Sequence, residues 1–115
     1  MKRLSNRQEQ VMTIIWEHGP MTVSRLIPLI DGHLHFNTIS TVVRELDRIG
    51  FLFHDSEFRP FLYYPKITKE EYIRELIESI SNRFFNSDQE KFIQSIQQFK
   101  NMVTVDSDVG YDAAE

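Results

Sequence analysis

The segment Asn37–Gly50 constrains the fold of this 115-residue chain most strongly, because its apolar residues recur at intervals of three and four. These residues are Ile39, Val42, Val43, Leu46 and Ile49. Asn37 is a favourable N-cap, and Gly50 is favourable just beyond the C-terminus of a helix. The sequence therefore predicts a short helix from Thr38 to Ile49 that buries one face.

The opposite side of this predicted helix carries short hydroxyl side chains first and arginines later. A helix that enters the DNA major groove by its N-terminus needs this order, with small groups at the base edges and long cations near bases or phosphates. We therefore predict a recognition helix that turns Glu45 and Asp47 away from the phosphates. The predicted base-reading residues are Asn37, Thr38, Thr41 and Arg44, and Ser40 and Arg48 complete the predicted DNA-binding set on this helix.

Two further helices are predicted before this one. A capping box predicts the first helix over residues 6–18. Thr22 is a suitable N-cap for the second helix, in which Pro28 removes a backbone donor and is expected to kink or break the helix. Thr22 and Arg25 lie at the start of the second helix, where backbone amides favour a DNA phosphate, so both join the predicted DNA-binding set.

The hydrophobic period changes to two after the third helix, which is typical of strands. Residues 51–55 and 61–65 are predicted strands, and residues 56–60 are the turn between them. Three short helices closed by a hairpin form a winged helix-turn-helix domain, predicted here over residues 1–66. The fold class is thus mainly α with a small β-hairpin. Arg59 lies at the tip of the hairpin, where a wing would meet the adjacent phosphate or the minor groove, so it joins the predicted DNA-binding set.

The C-terminal half is predicted to form two amphipathic helices, opened by capping boxes at Thr68 and Ser87. Two such helices bury little of their apolar surface as a single hairpin, so pairing with a second copy of the chain is expected. Residues 67–103 are therefore predicted to be a helical dimerisation region, and the acidic residues 104–115 a disordered tail. The predicted dimerisation residues are Ile73, Leu76, Ile77, Ile80, Phe84, Phe85, Phe92, Ile96 and Phe99.

Charge is unevenly distributed along the chain, whose formal net charge is −4. Residues 1–69 hold nine basic and seven acidic side chains, whereas residues 70–115 hold four basic and ten acidic ones. The N-terminal half is thus mildly basic, and the small excess predicts modest, salt-sensitive DNA affinity for a single copy. Lys2, Arg3 and Arg7 are expected to add contacts to the DNA backbone.

Other classes of function lack support in the sequence. No cysteine is present, which excludes disulfides and thiolate metal sites. Of the four histidines only His33 and His35 are close in sequence, so no metal site and no cofactor are predicted. No phosphate-binding glycine loop or nucleophile constellation is present, so no enzyme is predicted. No signal segment or membrane span is recognisable, so a cytoplasmic protein without a membrane partner is expected.

Several motifs in this order resemble the bacterial penicillinase-repressor family, which includes the methicillin-resistance repressors and copper-responsive relatives. The matching stretches are LSNRQEQVM with IIW at 4–16, GPMTV at 19–23, NTISTVVREL at 37–46, YYP at 63–65 and EEY at 70–72. The resemblance implies a winged-helix repressor that binds a palindromic operator as a homodimer. It further implies control of β-lactamase-type antibiotic-resistance genes and an inducing protease as a partner.

The chain departs from this family at three places. It lacks the C-terminal cysteine pairs of the copper-responsive relatives, and Glu45 replaces a second basic residue usual in the recognition helix. Phe92–Ile96 offers no Asn–Phe bond of the kind at which the resistance repressors are cleaved. The acidic balance and Glu45 leave one alternative open, a winged-helix protein-interaction module without sequence-specific DNA binding. Salt-sensitive duplex binding distinguishes the two.

Overall fold

The computed structural model describes residues 2–32 and 34–114, with side chains as far as residue 103. The elements in chain order are α1 (Asn6–His18), α2 (Val23–Leu26), a 3-10 helix (Ile27–Leu29), α3 (Phe36–Arg48), β1 (Leu52–His54), β2 (Tyr63–Pro65), α4 (Lys69–Phe84) and α5 (Gln89–Ala114). The chain divides into two compact units, Met1–Arg74 and Glu75–Glu115. Within the described residues, no helix is long and apolar enough to cross a membrane. The mainly helical fold with a two-stranded hairpin confirms the predicted fold class.

The first two helices begin at the predicted caps. The Ser5 hydroxyl oxygen accepts the Gln8 backbone N–H at 3.2 Å, and the Gln8 side chain accepts the Ser5 N–H at 2.8 Å. Thr22 Oγ1 accepts the Arg25 N–H at 3.4 Å and opens α2. The α-helix gives way to the 3-10 helix that contains Pro28, which confirms the predicted break, since proline cannot donate to the preceding turn.

Helix α3 starts two residues earlier than predicted and ends at Arg48, one residue before the predicted end. His35 is the extended residue before the helix, and its carbonyl accepts the N–H groups of Thr38 and Ile39. The prediction that Asn37 is the N-cap is therefore wrong, because the backbone turns into the helix at Phe36 and places Asn37 in the first turn. At the other end Gly50 has φ +89°, the left-handed conformation that glycine adopts without strain.

The turn after α3 is a Schellman motif. The Phe51 N–H donates to the Leu46 carbonyl at 2.9 Å, and the Gly50 N–H donates to the Asp47 carbonyl at 3.1 Å. Phe51 and Leu46 are both fully buried, which supplies the apolar contact that accompanies this motif. The turn leads the chain directly from α3 into β1 and so fixes the hairpin beside the helix.

The hairpin strands are shorter than predicted. Strands β1 and β2 pair antiparallel with Leu52 opposite Pro65 and His54 opposite Tyr63. Tyr63 also exchanges backbone hydrogen bonds with Met21, at 3.0 and 3.2 Å. Met21, two residues before α2, therefore extends the sheet by one bridge, which joins the hairpin to the helix-turn-helix.

The first unit encloses a hydrophobic core beneath these elements. Helices α1 and α3 and the hairpin each contribute side chains that are almost fully inaccessible to water. The largest fully buried ones are Phe51, Met12, Ile15, Leu26, Ile39, Leu46, Leu52, Val11 and Val43. Tyr72, from the start of α4, is also buried. The first unit thus includes the first turn of α4, and the predicted functional boundary after residue 66 stays a prediction.

Helix α4 opens at the predicted capping box, in which Thr68 Oγ1 accepts the Glu71 N–H at 3.1 Å. The cap predicted for α5 is wrong. Ser87 has φ +62°, and Asp88 caps the helix instead by accepting the Lys91 N–H at 3.2 Å. The backbone of α5 is helical to Ala114, where the acidic composition indicated a disordered tail. The side chains of residues 104–115 lie outside the described residues.

Candidate nucleic-acid interface

The polar side of α3 faces solvent along its length. Of the predicted DNA-binding residues on α3, Ser40 is half-buried and the others are exposed. On the opposite side Ile39, Val43 and Leu46 are completely buried. Burial of one face thus fixes the rotation of the helix about its axis. The exposed residues are Asn37, Thr38, Thr41, Arg44 and Arg48.

Hydrogen bonds along α3 hold the first polar side chains close to the helix. The Thr41 hydroxyl donates to the Asn37 carbonyl at 2.9 Å. Arg44 donates from Nε to the Ser40 carbonyl at 3.3 Å and from Nη2 to the Thr41 hydroxyl oxygen at 3.5 Å. The two Arg44 contacts are long and exposed, so they stabilise one orientation weakly. The Arg44 guanidinium can exchange them for a base edge or a phosphate at little cost.

Arg48 is held more firmly than Arg44. Its guanidinium donates two hydrogen bonds to the Glu45 carboxylate, at 2.9 and 2.5 Å. The hydrogen bond from Arg48 lowers the pKa of Glu45, and the positive charge of Arg48 lowers it further. Glu45 therefore stays ionised and offsets the charge of Arg48. A phosphate must compete with this carboxylate for Arg48, whereas Arg44 has no acidic partner among the described residues.

A groove of about 600 Å³ opens between the start of α2, the polar side of α3 and the hairpin. Five of the nine predicted DNA-binding residues line this α3–hairpin groove, namely Thr22, Ser40, Arg44, Arg48 and Arg59. Asn37, Thr38 and Thr41 lie on the exposed side of α3 but do not line the groove, and neither does Arg25. The structure thus brings together residues that are up to 37 positions apart in the sequence, from Thr22 to Arg59.

The prediction that Asp47 turns away from the DNA side is wrong. Asp47 lines the groove, and its carboxylate accepts a hydrogen bond from Nδ1 of His54 on β1. Tyr63 lies in the same cluster. Burial raises the pKa of the Tyr63 phenol, and the nearby Asp47 charge raises it further, while Arg44 acts in the opposite direction. The cluster joins the last turn of α3 to the hairpin.

Arg59 lies in the loop between the strands, as predicted, and is exposed. Its guanidinium lies over the Phe61 ring, 4.9 Å from the ring centroid, a cation–π contact that restrains the long side chain. Elsewhere on the surface Lys2 and Arg3 are exposed, and Arg7 donates to Gln10 at 2.8 Å.

Eight groove-lining residues lie outside the predicted DNA-binding set: Val23, Ser24, Phe36, Asp47, His54, Pro60, Phe61 and Tyr63. His54 lies on β1 and Tyr63 on β2, so the signal available for these two was the face of the strand that each occupies, whereas Phe61 lies in the loop before β2. Phe36 is 50% exposed at the first position of α3, and no periodicity marks it as a surface residue.

The second unit exposes an unusual amount of apolar surface. Ile77 is 47% exposed, Phe84 68% and Phe99 62%. Phe85 and Phe92 stack on each other across the α4–α5 turn, with ring centroids 5.1 Å apart, and both stay half-buried. None of the nine predicted dimerisation residues is fully buried. They are Ile73, Leu76, Ile77, Ile80, Phe84, Phe85, Phe92, Ile96 and Phe99, and together they are called the apolar face below.

A metal site has no structural support in the part of the chain that the structure describes. Within residues 2–32 and 34–103, no three His, Asp or Glu side chains converge on a common point. His33 lies outside the described residues, so its predicted lack of a metal role stays a prediction.

The helix-turn-helix, the hairpin and their exposed polar side chains together indicate the class of protein to which the chain belongs. A helix-turn-helix exposes hydroxyl and arginine side chains on its second helix, and a hairpin carries a further arginine beside it. This is the architecture of a winged-helix DNA-binding regulator. The model of the penicillinase repressor family matches residues 4–108, so the chain belongs to that family of DNA-binding repressors.

Individual relatives agree with this assignment. The penicillinase repressor of Bacillus licheniformis is 31% identical over 86 residues, which cover 73% of this chain and 67% of the relative. A solution structure of the monomeric form of Bacillus licheniformis BlaI in complex with the blaP half-operator is 29% identical. It has a TM-score of 0.52 over 62% of this chain and 89% of BlaI. Because these relatives are repressors, the prediction that the chain is not an enzyme is confirmed.

Two more distant structures share the fold. The transcriptional regulator Tm0710 of Thermotoga maritima is 19% identical, with a TM-score of 0.51 over 87% of this chain and 76% of the regulator. A MarR family protein of Bacillus stearothermophilus is 17% identical, with a TM-score of 0.52 over 90% and 77% of the two chains. At these identities the likeness supports the winged-helix fold alone.

Proposed function

We propose that the chain is a cytoplasmic repressor that binds a palindromic operator as a homodimer and blocks transcription by occupying the promoter. Each protomer places the exposed side of α3 in the major groove of one half-site, with Arg44 at a base edge. The observation that carries this proposal is the exposed Thr41–Arg44 side of α3, which adjoins the groove that Arg59 also lines.

The proposed base readers are Asn37, Thr38, Thr41 and Arg44, and Arg48 and Ser40 lie beside them on the same helix. Arg44 is the strongest candidate for specificity, because a guanidinium can pair with both acceptors of guanine. Arg25, Thr22 and Arg59 are proposed to contact phosphates, which position the protein without reading sequence.

The homodimer is proposed from the apolar face, all of whose members except Ile73 belong to the second unit. Monomeric proteins rarely expose several large apolar side chains on one short segment. A second copy of the chain offers the same face, so a twofold interface covers both at once. Such a dimer presents two recognition helices about one DNA turn apart, or a multiple of it, which fits a palindromic site.

The regulated genes are proposed to include β-lactamase-type resistance genes, as the names of the relatives indicate. We also propose an inducing protease as a partner. Its cleavage site would lie outside Phe92–Ile96, since that stretch has no Asn–Phe bond. A membrane sensor-protease encoded beside this gene would support such a partner.

Titration of a labelled duplex tests DNA binding. The duplex is selected from a random-sequence library by the wild-type chain, and its affinity is measured between 50 and 300 mM salt. We expect affinity to fall steeply with salt, because phosphate contacts release counterions. Arg44→Ala is expected to lower affinity roughly 10-fold and to relax the selected sequence, in line with the ~1–3 kcal/mol of a good base contact.

Lys69→Ala is the matched control. Lys69 is exposed at the first position of α4 and belongs neither to the predicted DNA-binding set nor to the apolar face, so its removal should leave affinity and selected sequence unchanged. Equal binding by Arg44→Ala and wild type would contradict the role of Arg44. Absence of duplex binding by the wild type at every salt concentration would favour the protein-interaction module instead.

A further inference from the structure

A continuous series of side-chain contacts links α3 to the outer end of the hairpin. Asp47 on α3 accepts a hydrogen bond from His54 Nδ1 on β1. The His54 ring packs against Phe61, with centroids 4.4 Å apart. The Phe61 ring in turn supports the Arg59 guanidinium at 4.9 Å. The first contact joins two elements, the second joins β1 to the end of the hairpin loop, and the third lies within that loop.

The inner part of this series is anchored to the core, and its outer end is exposed. Tyr63 is 4% exposed and exchanges backbone hydrogen bonds with Met21. Its ring lies 5.3 Å from His54 and meets Phe61 edge-on at 6.4 Å. His54 and Asp47 have side chains 28% and 27% exposed. Arg59, at the outer end, is exposed.

The presence of the Asp47 carboxylate in the groove needs a reason other than DNA binding. A carboxylate that lines a groove facing DNA repels phosphates, which disfavours binding. Its hydrogen bond to His54 gives it a structural purpose, because the contact ties the last turn of the recognition helix to the first strand of the hairpin. The position of the hairpin loop relative to α3 then depends on this pair rather than on the loop backbone alone.

We propose that His54 is a positioning residue for DNA binding: by binding Asp47 and packing on Phe61, it fixes Arg59 where the hairpin meets the phosphate backbone beside the half-site. The inference rests on the proposed operator binding. An Arg59 side chain that is already held in place loses less conformational entropy on binding DNA than a flexible arginine would. Preorganisation by His54 should therefore increase what Arg59 contributes to DNA affinity.

A double-mutant cycle tests this coupling, with the duplex selected by the wild-type chain as the probe. Arg59→Ala in the wild type should lower affinity about fivefold and reduce the slope of log affinity against log salt by about one phosphate. In a His54→Ala background the same Arg59→Ala change should lower affinity less than about twofold and leave the slope unchanged. A role of His54 in folding alone would not make the effect of Arg59 depend on it.

Arg25→Ala is the matched control, because Arg25 lies on α2 and makes no contact with this series. Its effect should be the same in the wild type and in His54→Ala. Asp47→Ala provides a second disruption of the series at a half-exposed helix position, should His54→Ala fail to fold. It should reduce the Arg59→Ala effect in the same way, although loss of a negative charge alone predicts tighter binding overall.

Three results overturn the inference. Arg59→Ala effects that are equal in the wild type, His54→Ala and Asp47→Ala show that Arg59 acts independently of the series. An Arg59→Ala effect below twofold in the wild type shows that the hairpin contributes no phosphate contact, although operator binding itself stands. A wild-type chain that retains no duplex from the library overturns both the inference and the proposed function.

Discussion

Removal of the Tyr72 hydroxyl tests how the first unit is held together. The hydroxyl oxygen accepts the Leu4 backbone N–H at 3.0 Å and donates its proton to Glu9 at 2.7 Å. The ring meets Phe51 edge-on, with centroids 5.6 Å apart, and lies 6.0 Å from Trp16. One buried phenol thus joins the chain before α1, α1 itself and the start of α4.

Tyr72→Phe keeps the ring contacts and removes both hydrogen bonds. Leu4 is 5% exposed, so its N–H loses its acceptor in a place that water hardly reaches, at a cost of about 1–3 kcal/mol. Glu9 is only half-buried, so water can replace the Tyr72 hydroxyl as hydrogen-bond donor to its carboxylate. The loss of the Tyr72–Glu9 hydrogen bond therefore adds little to the cost. With a urea dependence of about 1–2 kcal/mol per molar, the unfolding midpoint should fall by roughly 1 M.

Urea unfolding followed by fluorescence measures the effect, because Trp16 is the sole tryptophan and lies beside Tyr72. Tyr64→Phe is the matched control. The Tyr64 ring stacks on Phe53 with centroids 5.1 Å apart, and its hydroxyl makes no hydrogen bond within the described part of the chain. A Tyr72→Phe midpoint equal to that of wild type, or an equal shift in the control, would refute the reasoning.

The stability difference between wild type and Tyr72→Phe should depend on pH. Burial raises the pKa of Tyr72, and its hydrogen bond to Glu9 raises it further, while the bond from Leu4 acts in the opposite direction. A raised pKa in the folded state contributes stability that is present below the unfolded value of about 10 and is lost as pH rises above it. The stability difference between wild type and Tyr72→Phe should therefore be constant from pH 7 to 9 and should narrow above pH 10.

Two further predictions concern the apolar face and the turn after α3. Leu76→Asp combined with Ile80→Asp should give a monomer by sedimentation velocity, with poor operator binding, because two charges would be buried in the proposed interface. Gln94→Asp with Gln98→Asp adds the same charges at exposed polar positions of α5 and should remain dimeric; a dimeric Leu76/Ile80 variant would exclude this interface. Gly50→Ala should cost about 1–2 kcal/mol in urea unfolding, since φ is +89° although no atom blocks a Cβ there; an unchanged midpoint would show that the turn relaxes.

The sequence predicted the elements well where one residue type decides the local backbone. Gly50 ends α3 and Pro28 ends the regular part of α2, since each imposes its own conformation on the chain. The predicted caps failed where neighbouring residues compete. Asp88 rather than Ser87 caps α5, and the extended residue His35 precedes α3 in place of Asn37. Side-chain type alone does not decide between adjacent candidates, because the backbone conformation of the preceding loop also selects the cap.

The candidate site was predictable only in part. Helical periodicity identified the exposed side of α3, since the burial of Ile39, Val43 and Leu46 fixes which residues face out. The link between Asp47 and His54 depends on the turn at Gly50 and on strand register, and neither is visible in a pattern of single residues. The bridge between Met21 and Tyr63 joins positions 42 apart in the sequence, and no local signal predicts it.

The charge distribution of the first unit indicates that affinity for the proposed operator depends mainly on pairing of two protomers. Arg48 is largely offset by Glu45, and Asp47 lies in the groove itself. Each protomer therefore contributes few unopposed cations, which gives one half-site a modest affinity. Once one protomer of the proposed dimer is bound, its partner reaches the second half-site at a high effective concentration, which can raise overall affinity by about 10²–10⁴ without any new DNA contact. In the proposed dimer, any process that separates the apolar faces would thus release the proposed operator while leaving the proposed DNA-reading surface intact.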